Sequence, residues 1–117
     1  MKKIYHLASC STCQRILGEL GGGAGCELQN IKDKNLTAAE LDFLKEKTGS
    51  YESLFSRRAL KFREMGLHEK ALTEADYREL ILSEYTFLKR PVIINGTEVF
   101  VGNLAKTVEA AKKSLGK

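Results

Sequence analysis

No stretch of this sequence holds more than a few consecutive apolar residues, far short of the ~20 needed to cross a bilayer. A membrane helix is therefore excluded. The start of the chain, Met1-Lys2-Lys3-Ile4-Tyr5-His6-Leu7, has lysines but no long apolar region behind them. It reads as a first strand rather than a signal peptide, and a cytoplasmic protein is expected. Cysteine is scarce and odd in number, with only Cys10, Cys13 and Cys26. An odd count without a secretory signal argues against a disulfide framework. A second ligand pair at finger spacing is missing, and Cys26, His6 and His68 make a poor zinc set, so no metal site is expected. Proline occurs once, at Pro91. Neither an internal repeat nor a low-complexity linker is present.

What remains is an ordinary soluble composition: 117 residues, 43% hydrophobic and 29% charged. That is the size of one domain with one core. The formal charge of +4 is mild. It suits a small anionic substrate or an acidic protein surface, and direct nucleic-acid binding is not expected.

Periodicity orders the elements. Residues 3–7 read as a strand and residues 8–12 as a loop. A helix follows over 13–20, with Ile16, Leu17 and Leu20 at helical spacing and Ser11 or Thr12 as candidate N-caps. Gly21 to Gly25 stops it, and residues 26–31 alternate as a second strand. Thr37-Ala38-Ala39-Glu40 is a capping-box pattern with Leu36 and Leu41 placed as a hydrophobic staple. That helix ends at Thr48-Gly49-Ser50. A short helix is expected from Arg58 to Met65. Another opens at Thr73 and carries Tyr77, Leu80, Ile81 and Tyr85. The period then changes. Residues 90–94 read as a buried strand, Asn95-Gly96 as a hairpin turn, and residues 97–101 as the return strand. A last helix carries Leu104, Val108, Ala111 and Leu115 on one face. The order β-α-β, three helices, β-β-α is satisfied by a small mixed sheet with helices on its faces.

Cys10-Ser11-Thr12-Cys13 falls between a predicted strand and a predicted helix. Backbone N–H groups at a helix N-terminus, with the helix dipole behind them, favour a thiolate. The same Ser11 and Thr12 loop suits a bound oxyanion. Cys13, one turn on, is in reach to resolve an oxidised Cys10. Redox or nucleophilic chemistry fits this pair best, and a merely structural pair is the remaining alternative. Read alone, Pro91 is a strand opener for which a trans bond is the default. Read alone, Arg58 and Arg90 are solvated surface charges, and His6 serves equally well as a packed strand histidine.

Ile4-Tyr5-His6, Cys10-Ser11-Thr12-Cys13, Ser56-Arg57-Arg58-Ala59-Leu60-Lys61-Phe62, Leu88-Lys89-Arg90-Pro91-Val92-Ile93 and Val101-Gly102-Asn103 together resemble the ArsC/Spx family. That family includes glutaredoxin-linked arsenate reductases, YffB-type reductase-like proteins and the Spx transcriptional regulators. The resemblance implies an α/β, thioredoxin-like (glutaredoxin-like) fold. Its mixed sheet of about four strands is flanked by helices, and a helical insertion at about 36–88 separates β2 from β3. All of residues 1–117 would form one domain. By position, Cys10 matches the nucleophile, Arg58 and Arg90 the arginines of the oxyanion site, and Pro91 a cis-proline facing the cysteine loop. His6 matches a histidine near the nucleophile. Both arginines are expected to converge on Cys10, with Arg57 as the rival of Arg58. Arginine suits the task, because its fork matches a tetrahedral oxyanion and its charge favours a thiolate.

The sequence departs from the arsenate reductases in two places. Val101-Gly102-Asn103 stands where they carry a third arginine, and Cys13 stands where they typically have serine. Both features look more like the Spx or reductase-like branch, although the chain stops soon after its last helix where Spx continues. The function implied is a thiol-dependent, arsenate reductase-like oxidoreductase with no bound cofactor. Glutathione with glutaredoxin, or thioredoxin, would supply electrons. A monomer is expected. The alternatives are a general thiol-disulfide oxidoreductase, or an Spx-like redox-sensing regulator that meets the RNA polymerase alpha subunit near Gly49.

Overall fold

In the computed structural model all residues, Met1–Lys117, are described. The chain divides into two compact units, Met1–Lys34 with Arg90–Lys117, and Asn35–Lys89.

The first unit is built on a four-stranded mixed sheet in the order β2-β1-β3-β4. Its strands are β1 (Lys2–His6), β2 (Glu27–Asn30), β3 (Val92–Asn95) and β4 (Glu98–Val101). β1 runs parallel to β2 and antiparallel to β3, and β3 pairs antiparallel with β4. Strand alternation puts Ile4 of β1 and its register partner Ile93 of β3 on one face. Helices α1 (Ser11–Glu19) and α5 (Ala105–Ser114) cover that face. Ile16, Leu17 and Leu20 from the first helical segment meet Val108, Ala111 and Leu115 from the last in one buried cluster with Ile4 and Ile93. Lys3 is buried in β1, and its register partner Glu27 reaches its ammonium at 3.0 Å. An unpaired cation there would be costly, so this pair also favours the observed register.

The elements depart from the sequence reading by a residue or two at several ends. α1 starts two residues early, at Ser11, and its N-cap is Cys10 rather than Ser11 or Thr12. The reason is the turn before it: the Cys10 N–H donates to the Leu7 carbonyl at 3.0 Å, and the Cys10 carbonyl already accepts the Gln14 N–H at 3.0 Å. The hairpin turn is Gly96-Thr97, closed by the Asn95–Glu98 pair. Asn95 stays in β3 because its side-chain amide donates to the Ser114 carbonyl and hydroxyl, both at 2.8 Å. Gly96 supplies the positive φ, +63°. Leu104 is the N-cap of α5 and is exposed, not part of the buried face.

The second unit holds α2 (Ala38–Thr48), α3 (Leu60–Glu64) and α4 (Glu74–Ser83). Capping boxes at Thr37 with Glu40 and at Thr73 with Asp76 start α2 and α4. Each satisfies orphan N–H groups at a helix start and contributes about 1 kcal/mol. α3 begins two residues later than the sequence suggested, after an extended Ala59. The chain before it is held out of a helix, because Ser56 N–H donates to the Phe87 carbonyl at 2.7 Å and Phe55 bridges Leu88. Tyr85 lies in a short 3-10 turn, Tyr85–Phe87, beyond α4.

Phe55 centres this unit's core. Its ring stacks on Phe87 at 5.1 Å and meets Tyr77 at 4.9 Å and Phe62 at 5.9 Å. Phe55→Ala is expected to destabilise the protein by about 3–5 kcal/mol. Urea unfolding followed by circular dichroism checks this.

Candidate functional site: the cysteine loop

The loop between β1 and α1 places the thiols. A turn over Leu7–Cys10 is closed by the Cys10 N–H bond to the Leu7 carbonyl. Cys10 then caps α1 with an extended backbone, φ −94° and ψ 112°. Ser11, Thr12 and Cys13 follow as the first turn, whose N–H groups have no intrahelical acceptor. Cys10 is half-buried and Cys13 fully buried. Both are free thiols.

The pKa values of the two thiols are shifted in opposite directions. Burial alone would raise the Cys10 pKa. The Cys13 N–H, the Cys13 thiol and the Arg90 guanidinium outweigh it, and the net shift is downward. Cys13 is pushed up to about 11, first by burial, with the neighbouring Cys10 adding to the rise. Arg90 works weakly in the other direction on Cys13. Cys10 is thus the thiol prepared to ionise, and Cys13 the one held protonated.

Arg90 and Pro91 lead into β3, which lies beside β1 in the sheet. The Arg90–Pro91 peptide bond is cis. Pro91 is buried, and its carbonyl accepts the Gly102 N–H at 3.0 Å. The segment Val101-Gly102-Asn103 is thereby tied to the start of β3, with Gly102 at φ +94°.

His6 ends β1, and its carbonyl accepts the Ile31 N–H at 2.9 Å. Burial lowers its pKa, and its Nδ1 is buried without a hydrogen-bond partner. A neutral imidazole fits both observations. Arg57 and Arg58 lie in the turn before α3, in the second unit, rather than inside a helix. The Arg57 guanidinium donates to the Glu52 carboxylate at 2.7 Å and to the Tyr77 hydroxyl at 2.8 Å. Arg58 is exposed. Gly49 is the left-handed C-cap of α2, φ +96°, with open space where a side chain would go. No group of three or more His, Cys, Asp or Glu side chains is arranged to hold a metal ion. No helix is long and apolar enough to cross a membrane.

Of the residues singled out in the sequence, Cys10, Cys13 and Arg90 are brought together with the first turn that Ser11 and Thr12 share. The reading missed the backbone of Leu7, which closes the turn and also contacts the Cys13 thiol. A backbone group leaves no mark in residue type, so no sequence signal pointed to it.

The ArsC family model matches residues 5–111. The chain belongs to the ArsC family. YusI, an uncharacterized protein of Bacillus subtilis (strain 168), is 30% identical over 102 residues, which cover 84% of this chain and 86% of YusI. An ArsC family related protein from Bacteroides fragilis matches with a TM-score of 0.81 at 24% identity, over 94% of this chain and 96% of that one. An arsenate reductase-related protein from Brucella melitensis matches with a TM-score of 0.72 at 26% identity, over 93% of this chain and 92% of that one. The fold is therefore the arsenate reductase-like, thioredoxin-like arrangement of the ArsC family, with its cysteine loop at the start of α1.

Proposed function

We propose that this ArsC family member is a thiol-dependent oxyanion reductase, with Cys10 as nucleophile and Cys13 as resolving thiol. The observation that carries the reading is the convergence on the half-buried Cys10 sulfur of the Cys13 N–H, the Cys13 thiol and Arg90. Arsenate is the substrate that the family suggests. The Cys10 thiolate attacks arsenic(V), an S–As bond forms, and one oxygen leaves as water. Arg90 and the N–H groups of Ser11 and Thr12 face the charge of the oxyanion. Cys13 then attacks the Cys10 sulfur. An S–S bond forms, the S–As bond breaks, and its electron pair leaves with arsenic(III) as arsenite. Two thiols are oxidised for one arsenic reduced by two electrons. Glutathione with glutaredoxin, or thioredoxin, restores the dithiol.

The high pKa of Cys13 is not an obstacle to its role. Part of that rise comes from the neighbouring Cys10. Once Cys10 is bonded to arsenic its charge is gone, and Cys13 ionises more readily at the moment it is needed. Arg58 enters the proposal from the family resemblance, and His6 is proposed as a neutral neighbour of the loop rather than as a charged one.

The test is arsenate reduction with glutathione/glutaredoxin and with thioredoxin side by side. Arsenite formation with either donor is expected. A second reading is an Spx-like regulator that binds the RNA polymerase alpha subunit, for which Gly49 is exposed at the end of α2 with open space where a side chain would go. Tight capture of that subunit, lost in Gly49→Arg but kept in Gly49→Asn, together with no arsenite formation, overturns the enzyme reading. Asn is the control because it tolerates the left-handed conformation that Gly49 adopts.

A further inference from the structure

The Leu7–Ala8 peptide is held at both ends by side chains outside the Cys-x-x-C motif. Its N–H donates to Asn30 Oδ1 at 3.3 Å. Its carbonyl accepts the Gln14 side-chain amide at 3.3 Å, and the same oxygen accepts the Cys10 N–H at 3.0 Å. Asn30 ends β2 opposite His6, and Gln14 follows Cys13 on α1. One peptide is thus clamped from the neighbouring strand and from the helix it precedes.

We infer that Asn30 and Gln14 are positioning residues for Cys10, acting together by fixing the orientation of the Leu7–Ala8 peptide. The inference rests on the reading of Cys10 as the working thiol. The physical reason is local. A peptide between a strand end and a helix start lies outside both ladders, so nothing regular fixes its rotation. If it turns, the Leu7 oxygen no longer faces the Cys10 N–H, the turn over Leu7–Cys10 opens, and the cap of α1 is lost. The Cys10 sulfur then leaves the N–H groups of the first turn. Neither Asn30 nor Gln14 needs to touch a substrate for this.

A simpler role for Asn30 is confined to its own turn. Its Oδ1 also accepts the Lys32 N–H at 3.4 Å, and its amide donates to Asp33 at 3.3 Å. The two roles separate experimentally, because only the clamp reaches Cys10. The measurement is the rate of iodoacetamide labelling of each cysteine against pH, read by mass spectrometry on the reduced full chain. Cys26, on the same molecule, serves as the internal reference. Asn30→Ala and Gln14→Ala are each expected to slow Cys10 labelling at neutral pH by about tenfold, the effect of a one-unit rise in its pKa. Cys26 labelling should stay unchanged. The exchange Asn30→Asp with Asp33→Asn keeps an acceptor for the Ala8 N–H, an amide opposite it and the net charge, so it is expected to restore most of the rate.

The inference is overturned if Cys10 keeps its wild-type pH profile in both alanine variants, or if the exchange labels as slowly as Asn30→Ala. It is also overturned if Cys10, Cys13 and Cys26 all label faster, which is general loosening rather than lost positioning. No oxyanion enters this assay. A failure of the arsenate reading therefore leaves its outcome intact, and the reverse also holds.

Discussion

Cys10→Ser is expected to drop arsenite formation into the uncatalysed background, a loss of at least about a thousandfold. A serine hydroxyl is nearly isosteric, so the loop and the α1 cap should persist. What disappears is the ionisable nucleophile that Arg90 and the Cys13 N–H favour. Cys13→Ser should behave differently. The S–As bond still forms, but no buried thiol follows to release arsenite, so thioredoxin alone no longer sustains turnover and glutathione must attack as the second thiol. Cys26→Ser should leave turnover near wild type, since Cys26 packs against the α1–α5 cluster. Arsenite release measured across a glutathione series separates the three. If Cys10→Ser still turns over while Cys26→Ser does not, the nucleophile is wrongly assigned.

Much of this site is written in short segments whose meaning is local. A cysteine pair between an alternating run and a helical run points to a helix N-terminus whatever the rest of the chain does. Thr37 with Glu40 marks a helix start because both partners of the capping box lie within one turn. The same holds for the polar turn and hairpin after β3, except that one residue shifted. Asn95 is drawn into the strand by Ser114, nineteen residues on, and no local rule anticipates that bond. The start of α1 moved for the same kind of reason, since the Leu7 carbonyl captures the Cys10 N–H and makes Cys10 the cap. Arg58 falls outside α3 because Ser56 is engaged by Phe87, again a contact distant in sequence. Local grammar identifies the chemical groups here. Which residue ends or begins an element is decided by a distant partner.

Arg90→Ala carries the other large effect, about a hundredfold in kcat for arsenate, comparable to removing one oxyanion donor. Two losses are combined in that number, and pH separates them. Arg90 lowers the Cys10 pKa through a hydrogen bond and through its charge. Removing it destabilises the thiolate, so the pKa rises and less Cys10 is ionised at neutral pH. The rise is partial, because the Cys13 N–H and thiol remain. Raising the pH through the new pKa recovers this part, and the alkylation rate of Cys10 in the variant should approach wild type in alkaline buffer. Oxyanion binding is not recovered that way, since no proton transfer replaces a guanidinium fork. Arsenate turnover of Arg90→Ala should therefore stay low at the pH where alkylation has recovered. Arg90→Lys should retain much of the Cys10 reactivity at neutral pH yet restore turnover poorly, because an ammonium supplies charge without the planar pair of donors. Should turnover and alkylation recover together with pH in Arg90→Ala, Arg90 only tunes the thiol, and the oxyanion is held by the first turn of α1 alone.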